Sequence, residues 1–280
     1  MWGDGMTALR EAFERARSEG RKLLIPYLTA GFPSEEDFVA LAGRFLTGSA
    51  DILEVGMPFS DPLADGPTIQ FSSQRALEGG MTVGRMLGLL GRLSNPLNRP
   101  IVIMSYINPI LQFGLKDFAA AAREAGVSGS VIPDVICEEA NEVQSALASE
   151  GIDLVYLLAR TSTPERRRMI LNRSRGFVYL VSVSGVTGAR NRLPSDLCEW
   201  IQGVRGETTT PVAVGFGISN AELARQIGHD ADAVIVGSAI IDILKNGYGR
   251  SRAIEEAVRF LGSLRRALDS DCNTRTETRT

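Results

Sequence analysis

Short apolar runs recur along this chain at even spacing, with amphipathic helical stretches between them. The runs lie at residues 22–30 (KLLIPYLTA), 51–56, 100–106 (PIVIMSY), 129–133 (GSVIP), 153–159 (DLVYLLA), 176–183 (GFVYLVSV), 211–215 (PVAVG) and 231–236 (ADAVIV). The first is apolar on both sides, as a strand of a parallel sheet must be when helices cover it. Residues 34–46 show the helical alternative: Ser34 caps the segment, and Glu36 and Asp37 stand at its positive N-terminal end. Further helices are predicted over 68–78, 82–93, 115–125 and 138–150, and from about 164, 195 and 220. Residues 6–18 form a leading helix with Leu9, Phe13 and Ala16 on one face.

Eight strands alternating with helices predict an α/β chain folded as a single (β/α)8 barrel of the TIM type, with one extra N-terminal helix. A doubly wound open sheet is the competitor; the count of eight and the even spacing favour closure. No linker or shift in composition divides residues 1–268, which are expected to form one catalytic domain. Residues 269–280 (DSDCNTRTETRT) carry no apolar period and are expected to be a polar, disordered tail.

Composition narrows the chemistry. The chain of 280 residues is 44% hydrophobic and 22% charged, enough for a large core, and its net charge of −3 gives no electrostatic case for nucleic acid or an anionic membrane. The basic run Arg166, Arg167, Arg168 is read as a solvated helix face. Cys137, Cys198 and Cys272 are far apart, without metal-ligand spacing, so neither a disulfide framework nor a metal site is expected. With no signal peptide pattern and no apolar run of transmembrane length, a cytoplasmic location is expected.

The candidate chemistry gathers where strands end, the edge at which such barrels place their active sites. Glu54 is a carboxylate inside a buried-strand pattern, costly unless paired or used, and no neighbouring strand offers it an internal lysine or arginine. A Pro- and Gly-rich loop follows, carrying Asp61 and Asp65 between Pro58 and Pro67. Asp134, Tyr106 and Tyr179 also stand at strand ends; Asp134 reads equally as a turn residue, and the tyrosines as barrel packing. The one histidine, His229, sits near a helix end and reads as a surface residue, so acid–base work falls to carboxylates or tyrosine. Three glycine-bearing turns, at 185–188, 215–219 and 237–238, lie late in the chain, where barrels commonly hold phosphate through backbone N–H groups and helix ends. They suggest a small phosphorylated substrate. Neither the P-loop nor the dinucleotide fingerprint is present.

The stretch 53–70 (LEVGMPFSDPLADGPTIQ) closely resembles the signature of the tryptophan synthase alpha chain family. PYLTAGFP at 26–33, MSYINPI at 104–110, SGVTGAR at 184–190, VGFGIS at 214–219 and IVGSAI at 235–240 resemble further blocks of that family, in order. The resemblance implies cleavage of indole-3-glycerol phosphate to indole and D-glyceraldehyde 3-phosphate, a retro-aldol reaction without metal or organic cofactor. It implies that Glu54 protonates indole C3 and helps remove the glycerol 3'-hydroxyl proton, while Asp65 bonds the indole N–H and stabilises the charge that develops there. Tyr179 and Thr187 match supporting positions, and Gly188, Gly217, Gly237 and Ser238 match phosphate-binding ones. Tyr27, Met104, Tyr106, Val131 and Phe216 would line the indole pocket.

The resemblance also implies a beta-chain partner that carries pyridoxal phosphate, in an alpha2-beta2 heterotetramer, with contacts at Pro58, Asp61, Pro62 and Asn108. Val183, Met57 and Met104 depart from commoner residues of the family, away from the acid–base pair. Two alternatives remain: a stand-alone indole-glycerol-phosphate lyase, which would share the catalytic residues, and a catalytically silent activator subunit, which would not need them. A phosphate-binding sugar isomerase would share the glycine-rich edge but not the 53–70 block.

Overall fold

The computed structural model describes residues 6–181, 196–215, 217–247 and 252–277, with side chains to residue 270. Its nine parallel strands are β1 (Leu23–Thr29), β2 (Leu53–Gly56), β3 (Ile101–Met104), β4 (Val127–Val131), β5 (Asp153–Val155), β6 (Leu157–Ala159), β7 (Val178–Val181), β8 (Val212–Val214) and β9 (Ala233–Val236). They pair in the order β5-β4-β3-β2-β1-β9-β8-β7-β6. The two ends of that order, β5 and β6, are separated in the chain by Tyr156 alone, so the sheet closes on itself as a barrel.

The single strand expected at 153–159 is thus two short ones, the first paired with β4 and the second with β7. Tyr156 marks the break; its hydroxyl donates to Gln144 Oε1 at 3.2 Å and its carbonyl accepts from Tyr179 N at 3.1 Å. The other seven apolar runs each correspond to one strand, shorter than its run in every case but β4, which begins two residues before the run at 129–133.

Among the described residues twelve helices accompany the strands: α1 (Ala8–Ser18), α2 (Glu35–Thr47), α3 (Pro67–Glu78), α4 (Val83–Leu90), α5 (Ile107–Phe113), α6 (Leu115–Glu124), α7 (Asn141–Ser149), α8 (Pro164–Arg173), α9 (Leu197–Glu207), α10 (Ala221–Asp230), α11 (Ser238–Asn246) and α12 (Arg252–Glu277). Thr7, Ser34, Thr82, Thr163 and Asn220 start five of them, each side chain accepting from the backbone N–H three residues on. The last helix continues through the segment expected to be a disordered tail as far as Glu277. Asp269, at the start of that segment, pairs with Arg265 at 2.7 Å.

Two apolar layers hold the fold together, one between strands and helices and one inside the barrel. The inner layer includes α1, which closes the N-terminal end of the barrel with Leu9 and Phe13. Phe13 packs on Phe177, ring centroids 5.7 Å apart, and Thr7 Oγ1 donates to Asp153 Oδ2 at 2.6 Å. The plug fits because Gly129 and Gly176 lack side chains; a Cβ on either would come within 2.6 and 2.8 Å of Leu9 Cδ1. A second tie at this end is Asp51, which accepts from Leu24 N at 2.9 Å, Arg265 Nη1 at 2.8 Å and Arg21 Nη2 at 3.1 Å. The opposite, C-terminal rim is left for the site.

Leu9 is fully buried, and truncating such a leucine costs its transfer energy plus a cavity. Leu9→Ala should therefore lower the unfolding free energy by about 3 kcal/mol, read from urea denaturation. A loss well below about 1 kcal/mol would show that α1 does not seal the barrel.

Candidate active site

Glu54 is the second residue of β2 and lies level with Tyr27 of β1 and Val102 of β3. It is 1% exposed, and neither carboxyl oxygen has a hydrogen-bond partner among the described residues. Burial, then the nearby charge of Asp65, push its pKa from 4.5 to about 8; the Tyr179 hydroxyl, close but not in bonding geometry, works weakly the other way.

Two tyrosines flank this carboxyl, and both reach it because a glycine makes room. A Cβ on Gly56 would lie 1.9 Å from the Tyr27 hydroxyl, and one on Gly215 would lie 2.6 Å from the Tyr179 ring. In the sequence Gly56 is the end of an apolar run, and Gly215 part of a glycine-bearing turn read as a phosphate site. Their closest constraint is this ring contact, which no local spacing reveals. Burial and the neighbouring carboxylates raise both tyrosine pKa values well above 10, so the hydroxyls stay protonated. A buried hydroxyl chain supports Tyr27 from behind: Ser72 of α3 to Thr29 at 2.6 Å, and Thr29 Oγ1 to the Tyr27 hydroxyl at 3.4 Å. Sequence reading missed Thr29 and Ser72, since they converge only in the folded barrel.

Asp65 lies in the loop between β2 and α3. Its N–H donates to Pro62 O at 3.1 Å, and its own carbonyl accepts from Gln70 Nε2 at 2.8 Å. Tyr106, at the start of α5, accepts from Ala64 N at 2.8 Å and holds the loop against the rim. Burial raises the Asp65 pKa from 3.8 to about 6, with the Tyr106 hydroxyl opposing. Asp134 accepts from Ile107 N at 3.0 Å and so anchors the first turn of α5, the structural one of its two expected roles.

Of the other expected residues, Val131 is fully buried at the end of β4, Met104 half-buried at the end of β3, and Tyr106 buried against Phe59, ring centroids 5.2 Å apart. Gly217 has φ +37°; Gly237 and Ser238 are the N-cap and first residue of α11, a helix start with no side-chain cap. Its first N–H groups therefore lack acceptors within the helix. Pro58 is buried, Pro62 half-buried, and Asp61 and Asn108 exposed. Thr187, Gly188, Phe216 and Val183 lie outside the described residues. His229 is a surface residue paired with Asp230 at 3.0 Å. Among the described residues no group of His, Cys, Asp or Glu is placed to hold a metal ion, and no helix is long and apolar enough to cross a membrane.

A closed parallel barrel with two carboxyls of unlike pKa at its C-terminal rim defines a TIM-barrel protein with the edge at which such barrels place their active sites. Comparison with known proteins names the family. The family model for the tryptophan synthase alpha chain matches residues 13–268. The tryptophan synthase alpha chain of Azoarcus sp. strain BH72 is 42% identical over 266 residues, 95% of this chain and 98% of its own. The crystal structure of tryptophan synthase subunit alpha from Legionella pneumophila str. Paris superposes with TM-score 0.88 at 32% identity, covering 95% of this chain and 100% of that one. Mycobacterium tuberculosis tryptophan synthase follows with TM-score 0.86 at 36% identity, covering 94% and 98%. The chain belongs to the tryptophan synthase alpha chain family, and its activity is that of a lyase cleaving indole-3-glycerol phosphate.

The raised Glu54 pKa has a consequence for stability. Unfolded, Glu54 ionises near 4.5; folded, near 8. The native state therefore binds the extra proton between those values, and stability falls as pH rises through that window. Glu54→Gln removes the effect, so the variant should match wild type near pH 4 and exceed it by a few kcal/mol above pH 8, measured by urea unfolding across pH. Parallel curves for the two proteins would show that Glu54 is not held neutral.

Proposed function

We propose that Glu54 and Asp65 divide the acid–base work of the cleavage. At pH 7 a carboxyl of pKa about 8 is mostly protonated, and one of about 6 mostly ionised. Glu54 gives its proton to indole C3, which makes that ring carbon a leaving group. The developing positive charge at the indole nitrogen meets the Asp65 carboxylate, which accepts the N–H bond. The carboxylate of Glu54 then takes the proton from the hydroxyl on the carbon bonded to the ring. That carbon becomes the aldehyde of glyceraldehyde 3-phosphate as the carbon–carbon bond breaks and its electron pair returns to indole. The unpartnered burial of Glu54 carries this reading: only in such a place does a carboxyl remain an acid at neutral pH and turn into a strong base once ionised.

Tyr179 and Tyr27 frame Glu54, Tyr106 holds the Asp65 loop, and Val131 and Met104 offer an apolar wall to the indole. Gly217, Gly237 and Ser238 hold the phosphate through backbone N–H groups and the N-terminal dipole of α11. Thr187, Gly188 and Phe216 are assigned supporting, phosphate and pocket roles on resemblance alone.

The partner in this proposal is a tryptophan synthase beta chain. Leu63 at 97% exposure, Leu111 at 54%, Ile136 and Phe113 are large apolar residues left in water on the rim loops and α5. Beside them a cavity of about 450 Å³ is lined by Phe59, Asp61, Tyr106, Asn108 and Asp134. Two of the expected contact residues, Asp61 and Asn108, line this cavity, whereas Pro58 is buried; an apolar patch of this kind marks an interaction surface. Pyridoxal phosphate fits the partner rather than this chain. Of the three lysines, Lys22 precedes β1 at the closed end, Lys245 stacks on Phe71 at 4.7 Å, and Lys116 is on the surface of α6. None stands at the site.

Glu54→Gln should reduce indole release from indole-3-glycerol phosphate by at least about 10³-fold, and Asp65→Asn should lower kcat more than it raises KM. An unchanged rate in the first variant would end the assignment of Glu54. Adding a beta chain should accelerate release by the wild-type chain. Leu111→Arg should abolish most of that acceleration while the rate of the chain alone stays as it was. Absence of any acceleration in the wild type would favour a stand-alone lyase.

A further inference from the structure

The helix behind the Asp65 loop is tied to the helix at whose start the phosphate is proposed to bind. Thr68, the second residue of α3, donates its hydroxyl to Asp242 Oδ1 on α11 at 2.9 Å, across 174 positions of sequence. Asp242 is half-buried in the second turn of α11, four residues beyond Ser238. One turn along α3, Phe71 stacks beneath Lys245 of α11, the ammonium 4.7 Å from the ring centroid. Gln70, between the two, donates to the Asp65 carbonyl. Asp65 therefore takes its backbone position from α3, and α3 takes its position from α11.

We infer that Thr68 and Asp242 form a positioning tie that sets where the Asp65 carboxylate stands relative to the phosphate-holding start of α11. This rests on the proposed roles of Asp65 and α11. Substrate held by its phosphate at one end must meet Asp65 with its indole N–H at the other. The distance between those points is a property of how α3 sits on α11. A rim loop alone is a soft mount for a group that has to meet a developing charge, whereas a helix fixed by a hydrogen bond and a cation–ring contact is a firm one. Neither Thr68 nor Asp242 touches the reacting atoms in this scheme. They act through Asp65, and the effect of losing them falls on the chemical step rather than on substrate capture.

The test is steady-state indole release by Thr68→Val, Thr68→Ser, Asp242→Ala and the Thr68→Val/Asp242→Ala double variant, with Asp65→Asn alongside and melting temperatures recorded for all. Valine keeps the shape of threonine without its hydroxyl. The tie predicts a fall in kcat of about tenfold for Thr68→Val with KM within about threefold of wild type. Thr68→Ser should restore kcat. Asp242→Ala should reproduce the loss, and the double variant should be no worse than either single one, because both remove the same bond. Wild-type kcat in Thr68→Val and Asp242→Ala, even with a lowered melting temperature, overturns the tie. So does an additive loss in the double variant. An impaired Asp65→Asn beside an unaffected Thr68→Val overturns the tie alone, whereas an Asp65→Asn with wild-type kcat removes the proposed role of Asp65 and the tie with it.

Discussion

Everything at the C-terminal rim follows from one costly placement, a carboxyl group inside a closed barrel with, among the described residues, no cation and no hydrogen-bond donor on either oxygen. An ionised group in such a place would be strongly destabilising. The fold resolves this by keeping the group neutral, and a neutral carboxyl at pH 7 is an acid in waiting. The neighbours preserve that condition. Tyr27 and Tyr179 offer hydroxyls that remain protonated and add no charge. Both come close only because Gly56 and Gly215 leave the space that a side chain would fill. A lysine or arginine in this shell would hold Glu54 ionised and remove its capacity to donate.

The opposite end of the barrel is built on the reverse principle. There charges are paired and hydrogen-bonded: Asp51 joins Arg21, Arg265 and the backbone of β1, and Arg265 also binds Asp269 and the Lys22 carbonyl. The α1 plug fills the interior with Leu9 and Phe13. Stability is thus concentrated at the N-terminal end, away from the groups whose burial costs stability. In this fold, groups at the C-terminal rim serve chemistry and those at the N-terminal end hold the barrel shut.

Much of this was legible in the sequence, for identifiable reasons. A buried parallel strand must be apolar on both faces, so the eight runs announced themselves, and Glu54, a carboxylate in the middle of one of them, stood out against that background. The split at Tyr156 was not legible, because 154–159 is an unbroken apolar run and the break depends on which neighbour each half pairs with. Nor could composition show that Thr29 and Ser72 would meet Tyr27, or that Gly56 and Gly215 make room for tyrosine rings. Such relations exist between elements distant in sequence. The polar segment after residue 268 lacks an apolar period, so it read as a tail. Its helix to Glu277 is a continuation of α12 and does not need an apolar stripe of its own.

The contrast between the two carboxylates explains why they sit on different kinds of structure. Had both stood on barrel strands, each would share the same desolvation, and their mutual repulsion alone would decide which ionised first. Placing Asp65 on a loop at the rim gives it partial access to water and a tyrosine hydroxyl, enough to bring its pKa to about 6 while that of Glu54 stays near 8. The price of a loop is positional freedom. That freedom is limited from both sides, by the Tyr106 hydroxyl on Ala64 N and by Gln70 on the Asp65 carbonyl. The first contact belongs to α5, which carries the exposed Leu111 and Phe113; the second belongs to α3, which rests on α11. A partner seated on α5 and a phosphate at the start of α11 would therefore bear on the same carboxylate from opposite directions.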